Sequence, residues 1–263
     1  MNKFPPLSVV TASAASFLML ACSAQAIISV SLSGHLNTFD TAPPGGTVTG
    51  DWVTSTSNIA GDQNTFTTAA NIDTFISTYN ASTLVTSVGA SGTNPPSENA
   101  LARHNTTLLA LQMRPIQTKA ANVLLARMQN DTGLDLAGIT VSYDFANPGV
   151  GVEEIPGWRA YYSLTADPAQ SGWFAITEFS GGTAGRRTAF LDFGGAGWAA
   201  GAQASILWVD DNAVALGTVN DGTGEASYTL DNFSIVPVPE PSAAMLVLLG
   251  GLALTRRCRS QRS

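Results

Sequence analysis

The sequence predicts an all-β fold, a jelly-roll-like β-sandwich with at most one short helix. Three observations carry that expectation. Between residues 27 and 235 apolar residues recur at every second position in a series of short runs. Turn-forming clusters separate the runs: Pro43-Pro44-Gly45-Gly46, Asp167-Pro168, Gly194–Gly201 and Asp221–Gly224. Charged residues make up only 12% of the chain, so Ser, Thr, Asn and Gly must supply much of the wet surface.

Taken in order, Ile28, Val30 and Leu32 alternate with Ser29, Ser31 and Ser33, the mark of a half-buried strand. Trp52–Ala70 is polar with scattered apolar residues. Ile72, Phe75, Ile76 and Tyr79 have helical spacing and predict one short helix within Ile72–Leu84. Ser91–Asn99, with Gly92, Pro95 and Pro96, predicts a long surface loop, the place where the domain would divide if it has two closely joined parts. Leu108–Met113 and Asn122–Met128 are apolar runs on either side of Pro115. Leu136–Phe145 is the clearest strand, with Ile139, Val141, Tyr143 and Phe145 alternating with Thr140, Ser142 and Asp144. Trp158–Thr165, Trp173–Phe179, Arg187–Phe193, Gln203–Asp210 and Tyr228–Val236 supply the remaining strands. Many short strands joined by tight turns give a two-layer sandwich.

The two ends are of a different kind. Residues 1–26 read as a signal peptide: Lys3, an apolar stretch Val9–Ala21, then Ala24-Gln25-Ala26, with cleavage by signal peptidase after Ala26. A lipoprotein signal ending at Cys22 is the alternative. Residues 236–263 begin with prolines at 237, 239 and 241, which lack backbone donors and should keep the stretch accessible. The uncharged run Ala243–Leu254 and a basic end with Arg256, Arg257, Arg259 and Arg262 follow. At about 1.5 Å per residue even the span Ser242–Thr255 gives only roughly 21 Å of helix, short of the ~30 Å hydrocarbon core. Its terminal place, and arginines able to snorkel to headgroups, favour a transmembrane tail over an ordinary terminal helix.

Val238-Pro239-Glu240-Pro241-Ser242, the Leu/Gly-rich segment Leu246–Leu254 and the arginine cluster together resemble the PEP-CTERM sorting domain of Gram-negative bacteria. The resemblance covers about the last tenth of the chain. It implies recognition of Pro239, Glu240 and Pro241 by an exosortase, with Arg256, Arg257 and Arg259 as the membrane stop. It also implies transient anchoring in the inner membrane, removal of the tail, and passage to the cell surface or the extracellular matrix.

Removal of both ends takes Cys22 and Cys258 with them, leaving no thiol for a disulfide, a metal or a nucleophile. Residues 27–235 then hold seven basic against eighteen acidic residues, a net charge of about −11. Such a surface repels nucleic acid and favours cations or neutral glycans.

Candidate chemistry is sparse. Asp210, Asp211 and Asp231, with Asn212, Asn220, Asp221 and Glu225 nearby in sequence, are the hard oxygen ligands a structural calcium ion takes. Acids that simply cap turns are the competing reading, and no other cofactor is expected. His35 and His104 stand apart without metal-ligand spacing, and there is no Gly-x-Ser-x-Gly elbow. Glu153, Glu154, Glu178 and Glu225 include no pair whose spacing selects it for glycoside hydrolysis. Trp158, Trp173 and Trp208 sit in strand patterns and belong to the core. Trp198, within Gly194–Gly201, is the candidate for an exposed glycan-stacking ring, and Arg186-Arg187 reads as a solvated turn pair. The expected role is a non-catalytic structural protein of the surface or matrix. The alternatives are a carbohydrate-binding module for exopolysaccharide and, last, a glycan hydrolase.

Overall fold

The structure, a computed structural model, describes residues 27–41, 52–54, 59–61, 65–84, 86–94, 102–115, 119–147, 158–165, 172–181, 183–212 and 227–240. The strands in chain order are β1 Ile28–Val30, β2 His35–Asn37, β3 Trp52–Thr54, β4 Ile59–Ala60, β5 Thr86–Ser87, β6 Gly89–Ser91, β7 Arg103–Asn105 and β8 Ala110–Met113. They continue as β9 Lys119–Asn130, β10 Leu136–Ala146, β11 Trp158–Ser163, β12 Phe174–Ala175, β13 Gly185–Asp192, β14 Gln203–Asp211 and β15 Tyr228–Pro239. One α-helix, α1 Ala69–Ile76, lies between β4 and β5.

The strands form two sheets. Sheet I runs β12-β11-β14-β9-β3-β5, with β1 and β4 also on β9; sheet II runs β13-β10-β15-β8-β7-β6, with β2 also on β15. The expected sandwich is therefore present. From β8 to β11 each connection changes sheets, so strands adjacent in sequence face each other across the core instead of pairing.

That core is aromatic. Trp52, Trp158, Trp208, Tyr143 and Phe233 are fully buried between the sheets. The Trp52 ring lies 5.0 Å from Phe233 and 5.5 Å from Trp208, and the Trp158 indole N–H donates to the Tyr143 hydroxyl at 3.0 Å. Edge-on packing of Trp52 on Phe233 and, at Trp158, a satisfied indole donor help such large rings sit in an apolar interior. At about 25 cal/mol per Å², each ring contributes about 4–6 kcal/mol of transfer free energy, an upper bound.

A second core explains the run at 120–128, which does not alternate. β9 is buried on both faces: Leu124, Ala126 and Met128 meet sheet II, while Val123 and Leu125 meet Ile72 and Ile76 of α1. The helix starts where Thr68 accepts the Asn71 backbone N–H. It stops at Ile76, short of the expected Leu84, because polar side chains claim the next backbone groups. The Ser77 hydroxyl donates to the Thr74 carbonyl, and Asn80 accepts from the Ser82 N–H to open a 3₁₀ turn at Ala81–Thr83. The expected strand Trp173–Phe179 shrinks to β12 and a 3₁₀ turn at Thr177–Phe179. Most of the expected loop at 91–99 lies outside the described residues, although Ser91 itself ends β6.

β15 reaches further than expected. Val236, Pro237, Val238 and Pro239 pair with β10, and the Glu240 N–H donates to the Asp135 carbonyl at 3.2 Å. The sandwich thus includes residues first assigned to the tail. Two prolines fit here because β8 leaves β15 at Leu230 and β2 after Ile235, so beyond Ile235 only β10 remains beside it. Even positions such as Glu240 turn their N–H toward β10, so positions 237 and 239 turn theirs away, where none is needed. Pro241, the segment 243–254, Arg256, Arg257 and Arg259 lie outside the described residues, as do Ala24 and Ala26. Among the described residues no helix is long and apolar enough to cross a membrane.

Candidate binding face

The helical layer covers the outer face of sheet I, whereas the described residues leave the outer face of sheet II open. Period-two alternation turns Thr140, Ser142, Asp144 and Ala146 of β10 outward, beside Arg186, Thr188 and Phe190 of β13. β15 adds Thr229, Asp231, Ser234 and Val236 on the other side, and Leu36 of β2 lies next to Ser234.

A bulge shapes the middle of this face. Ser142 pairs Ser234 but Asp144 pairs Asp231, so two residues of β15 oppose one of β10, and Asn232 takes φ +49°. The bulge aims the Asn232 side chain at β10, where its amide donates to Asp144 Oδ2 at 2.8 Å. Arg186 reaches in from β13. It donates to Asp144 Oδ1 at 3.1 Å, to the Asn232 carbonyl at 2.9 Å and to the Ser142 hydroxyl at 2.7 Å. Arg186 and Asp144 are each more than 40% exposed, so their ion pair adds little stability. Its effect is to orient both groups. Burial raises the Asp231 carboxyl above its ordinary pKa, and the charges of Asp144 and Asp40 push the same way, against Asn232 and Arg186. Beside this cluster is a cavity of about 230 Å³ lined by Leu108, Ala110, Asp144, Ala146, Thr229 and Asp231.

At the other end of the face the Phe190 ring is 52% exposed and lies against Gly138 of β10. A Cβ at Gly138 would meet Phe190 Cζ at 2.7 Å and the Leu191 carbonyl oxygen still closer, so the far end of the ring rests over position 138 only because that residue is glycine. Val236 and Leu36, also exposed, complete an apolar patch.

The residues singled out from sequence are placed differently. Trp198 is buried and does not offer a stacking surface. Its backbone bridges to Leu136 in both directions, at 2.8 and 3.1 Å, and its indole N–H donates to the Ala202 carbonyl at 3.0 Å. The glycine-rich loop folds back on β10 and carries the ring inward against Phe193. Phe193 contacts Tyr162, which contacts Phe174; the exposed end of this aromatic row is Phe174.

Asp210 and Asp211 are buried on β14 of sheet I, while Asp231 is on β15 of sheet II. The three do not come together, and among the described residues no group of three or more His, Cys, Asp or Glu is placed to hold a metal ion. Asn220, Asp221 and Glu225 lie outside the described residues.

Arg186 and Arg187 form a strand, not a turn. Arg187 points inward, donates to the carbonyls of Phe179 and Thr183 at 2.8 and 3.0 Å, and lies 3.7 Å over the Phe145 ring. The Asp144–Arg186–Asn232 cluster was not foreseen. Its signal in the sequence is a change of parity: Tyr228 and Leu230 are buried at even positions, Phe233 and Ile235 at odd ones, and the switch falls at Asp231-Asn232.

No protein-family model and no curated protein matches the chain. Among solved structures it is similar to the CBM22-1 xylan-binding domain of Paenibacillus barcinonensis Xyn10C, at 11% identity and TM-score 0.32, over 50% of this chain and 73% of that one. It is also similar to the xylan-binding module CBM15, at 10% identity and TM-score 0.33, over 49% and 78% respectively. The enzymatically active domain of bacteriophage CBA120 tailspike protein 4 is matched at 9% identity and TM-score 0.31, and the chain spans 15% of its length. At these values the likenesses carry neither ligand nor activity to this chain.

Proposed function

We propose that this chain is an exported, non-catalytic β-sandwich protein that binds neutral glycan chains on the outer face of sheet II. The carrying observation is the composition of that face: a half-exposed Phe190 ring resting over Gly138 and, along the same strands, the hydroxyls of Thr140, Ser142, Thr188 and Ser234 leading to Asp144, Arg186 and Asn232. An aromatic face supports the C–H face of a sugar ring, while carboxylate, amide and guanidinium groups exchange hydrogen bonds with its hydroxyls. The acidic balance of the mature region disfavours polyanionic chains. Export and sorting through Pro239, Glu240 and Pro241 complete the reading, with the surface or matrix as destination.

Two measurements test it. Titration of the purified protein with neutral polysaccharides should give saturable binding that Phe190→Ala weakens about tenfold or more, the equivalent of about 1.4 kcal/mol. Unchanged affinity in that variant, with the fold intact, would sink the glycan site. Intact mass from the native host, with and without its exosortase, addresses sorting separately. A product ending near Pro239–Pro241 supports processing, and a mass that keeps residues 256–263 removes it.

A further inference from the structure

The four edges of the two sheets are unequal. Sheet I ends on β12 and β5, two residues each; sheet II ends on β6 with three residues and on β13 with eight. No described strand pairs with the far side of β13. Long open edges are templates for further strands, and proteins usually blunt them with bulges, prolines or shortness. β13 has no proline, and its register with β10 runs from Gly185 to Asp192 without a shift.

The direction of its free groups can be read. The Phe193 N–H donates to the Ala137 carbonyl at the end of β10, so odd positions turn their backbone groups toward β10. By alternation Arg186, Thr188, Phe190 and Asp192 turn theirs to the open edge. The Asp192 carbonyl also lies 3.4 Å from the Tyr162 hydroxyl, a long contact that leaves a lone pair free.

We propose that β13 pairs antiparallel with β13 of a second copy of this chain, about a two-fold axis at Ala189. In this register every outward position meets another. Arg186 stands opposite Asp192 of the second copy, and Thr188 opposite its Phe190, each pair occurring twice by symmetry. A centre at position 188 leaves Asp192 without a strand partner, and a centre at position 190 does the same to Arg186. The charges permit this register: the strand position opposite Asp192 carries a cation, whose guanidinium lies over β10 on Asp144 and Ser142 in the single chain, and like signs do not meet. Phe190, exposed in the single chain, is partly covered by the threonine facing it. Arg187 does not obstruct the pairing, because its guanidinium is turned inward onto loop carbonyls. The two copies of sheet II become one continuous sheet with both outer faces on the same side.

Sedimentation equilibrium of the purified protein tests the proposal. The expected result is a reversible dimer whose dissociation constant rises at least about tenfold in Thr188→Pro, with unchanged circular dichroism. That substitution removes an N–H that β10 does not use. Asp192→Lys sets a lysine against Arg186 of the second copy and serves if the proline variant does not fold; it too should raise the constant. The register has its own test: Ala189 faces its counterpart in a non-hydrogen-bonded pair, about 4.5 Å between Cα atoms, within disulfide reach. Ala189→Cys should therefore oxidise to a covalent dimer. A wild-type monomer at every concentration, or folded edge variants that dimerise as well as wild type, would overturn the pairing. A dimer that fails to cross-link at position 189 would overturn the register.

Discussion

Trp198 shows how one residue changes meaning with its surroundings. In the sequence it stands among glycines, where an aromatic ring has few apolar neighbours to bury it. In the fold that loop returns to β10, and the ring is enclosed with its indole donor satisfied. Trp198→Ala should therefore cost about 3–5 kcal/mol by chemical denaturation, while leaving glycan affinity unchanged wherever the variant is folded. A stable variant that loses binding would restore the exposed-ring reading. Arg186 and Arg187 make the same point: adjacent on a strand, they face opposite ways, one organising a surface cluster and the other capping loop carbonyls. Pattern reading began the strand at Arg187 and took the pair as its solvated turn, whereas the strand begins at Gly185 and holds both arginines.

Between elements, a bidentate polar tie joins α1 to sheet I. Asp73 accepts from Arg159 Nε at 2.9 Å and Nη2 at 2.7 Å, and from the Tyr161 hydroxyl at 2.7 Å. The Arg159 side chain is 14% exposed, so the pair is partly desolvated and its geometry is bidentate. Asp73→Asn should lower stability by about 1–3 kcal/mol. A double-mutant cycle with Arg159→Ala should show coupling, and strictly additive losses would mean the tie is incidental. Strands with one wet face, such as β10, were legible because alternation reports burial directly. β9 gave an apolar run without a period, since a strand covered on both faces has no polar side to show. The helix was legible from Ile72 and Ile76, its end was not, because capping depends on which hydroxyls turn back on the backbone. The bulge at Asn232 was written in the parity switch, yet only the sheet register shows which groups it gathers.

For the molecule as a whole, burial of tyrosines sets an alkaline limit. Burial pushes Tyr79 and Tyr143 up from 10.0 to about 12, and it raises Tyr161 as well, with the Asp73 hydrogen bond adding to the effect. Each phenol stays protonated in the folded state at a pH where the unfolded chain has ionised. The associated stability is complete below pH 10 and is lost as the pH rises from about 10 to about 12. Phenolate absorbance of the native protein should lag behind that of the denatured chain in this window, while the urea midpoint falls. Titration of all the tyrosines near 10.0 in the folded protein would contradict the buried hydroxyl network around Tyr143.

The last strand also decides how the molecule carries load. β15 is an interior strand, flanked by β10 along most of its length and by β2 and β8 on its other side, and the described residues end at Glu240, just beyond it. A tether attached beyond Glu240 pulls along the strand axis. The hydrogen bonds to β10 are then sheared together, whereas a hairpin pulled from one corner opens them one after another. Tension applied beyond Glu240 would therefore meet the most extensive ladder of sheet II, nine paired positions loaded at once.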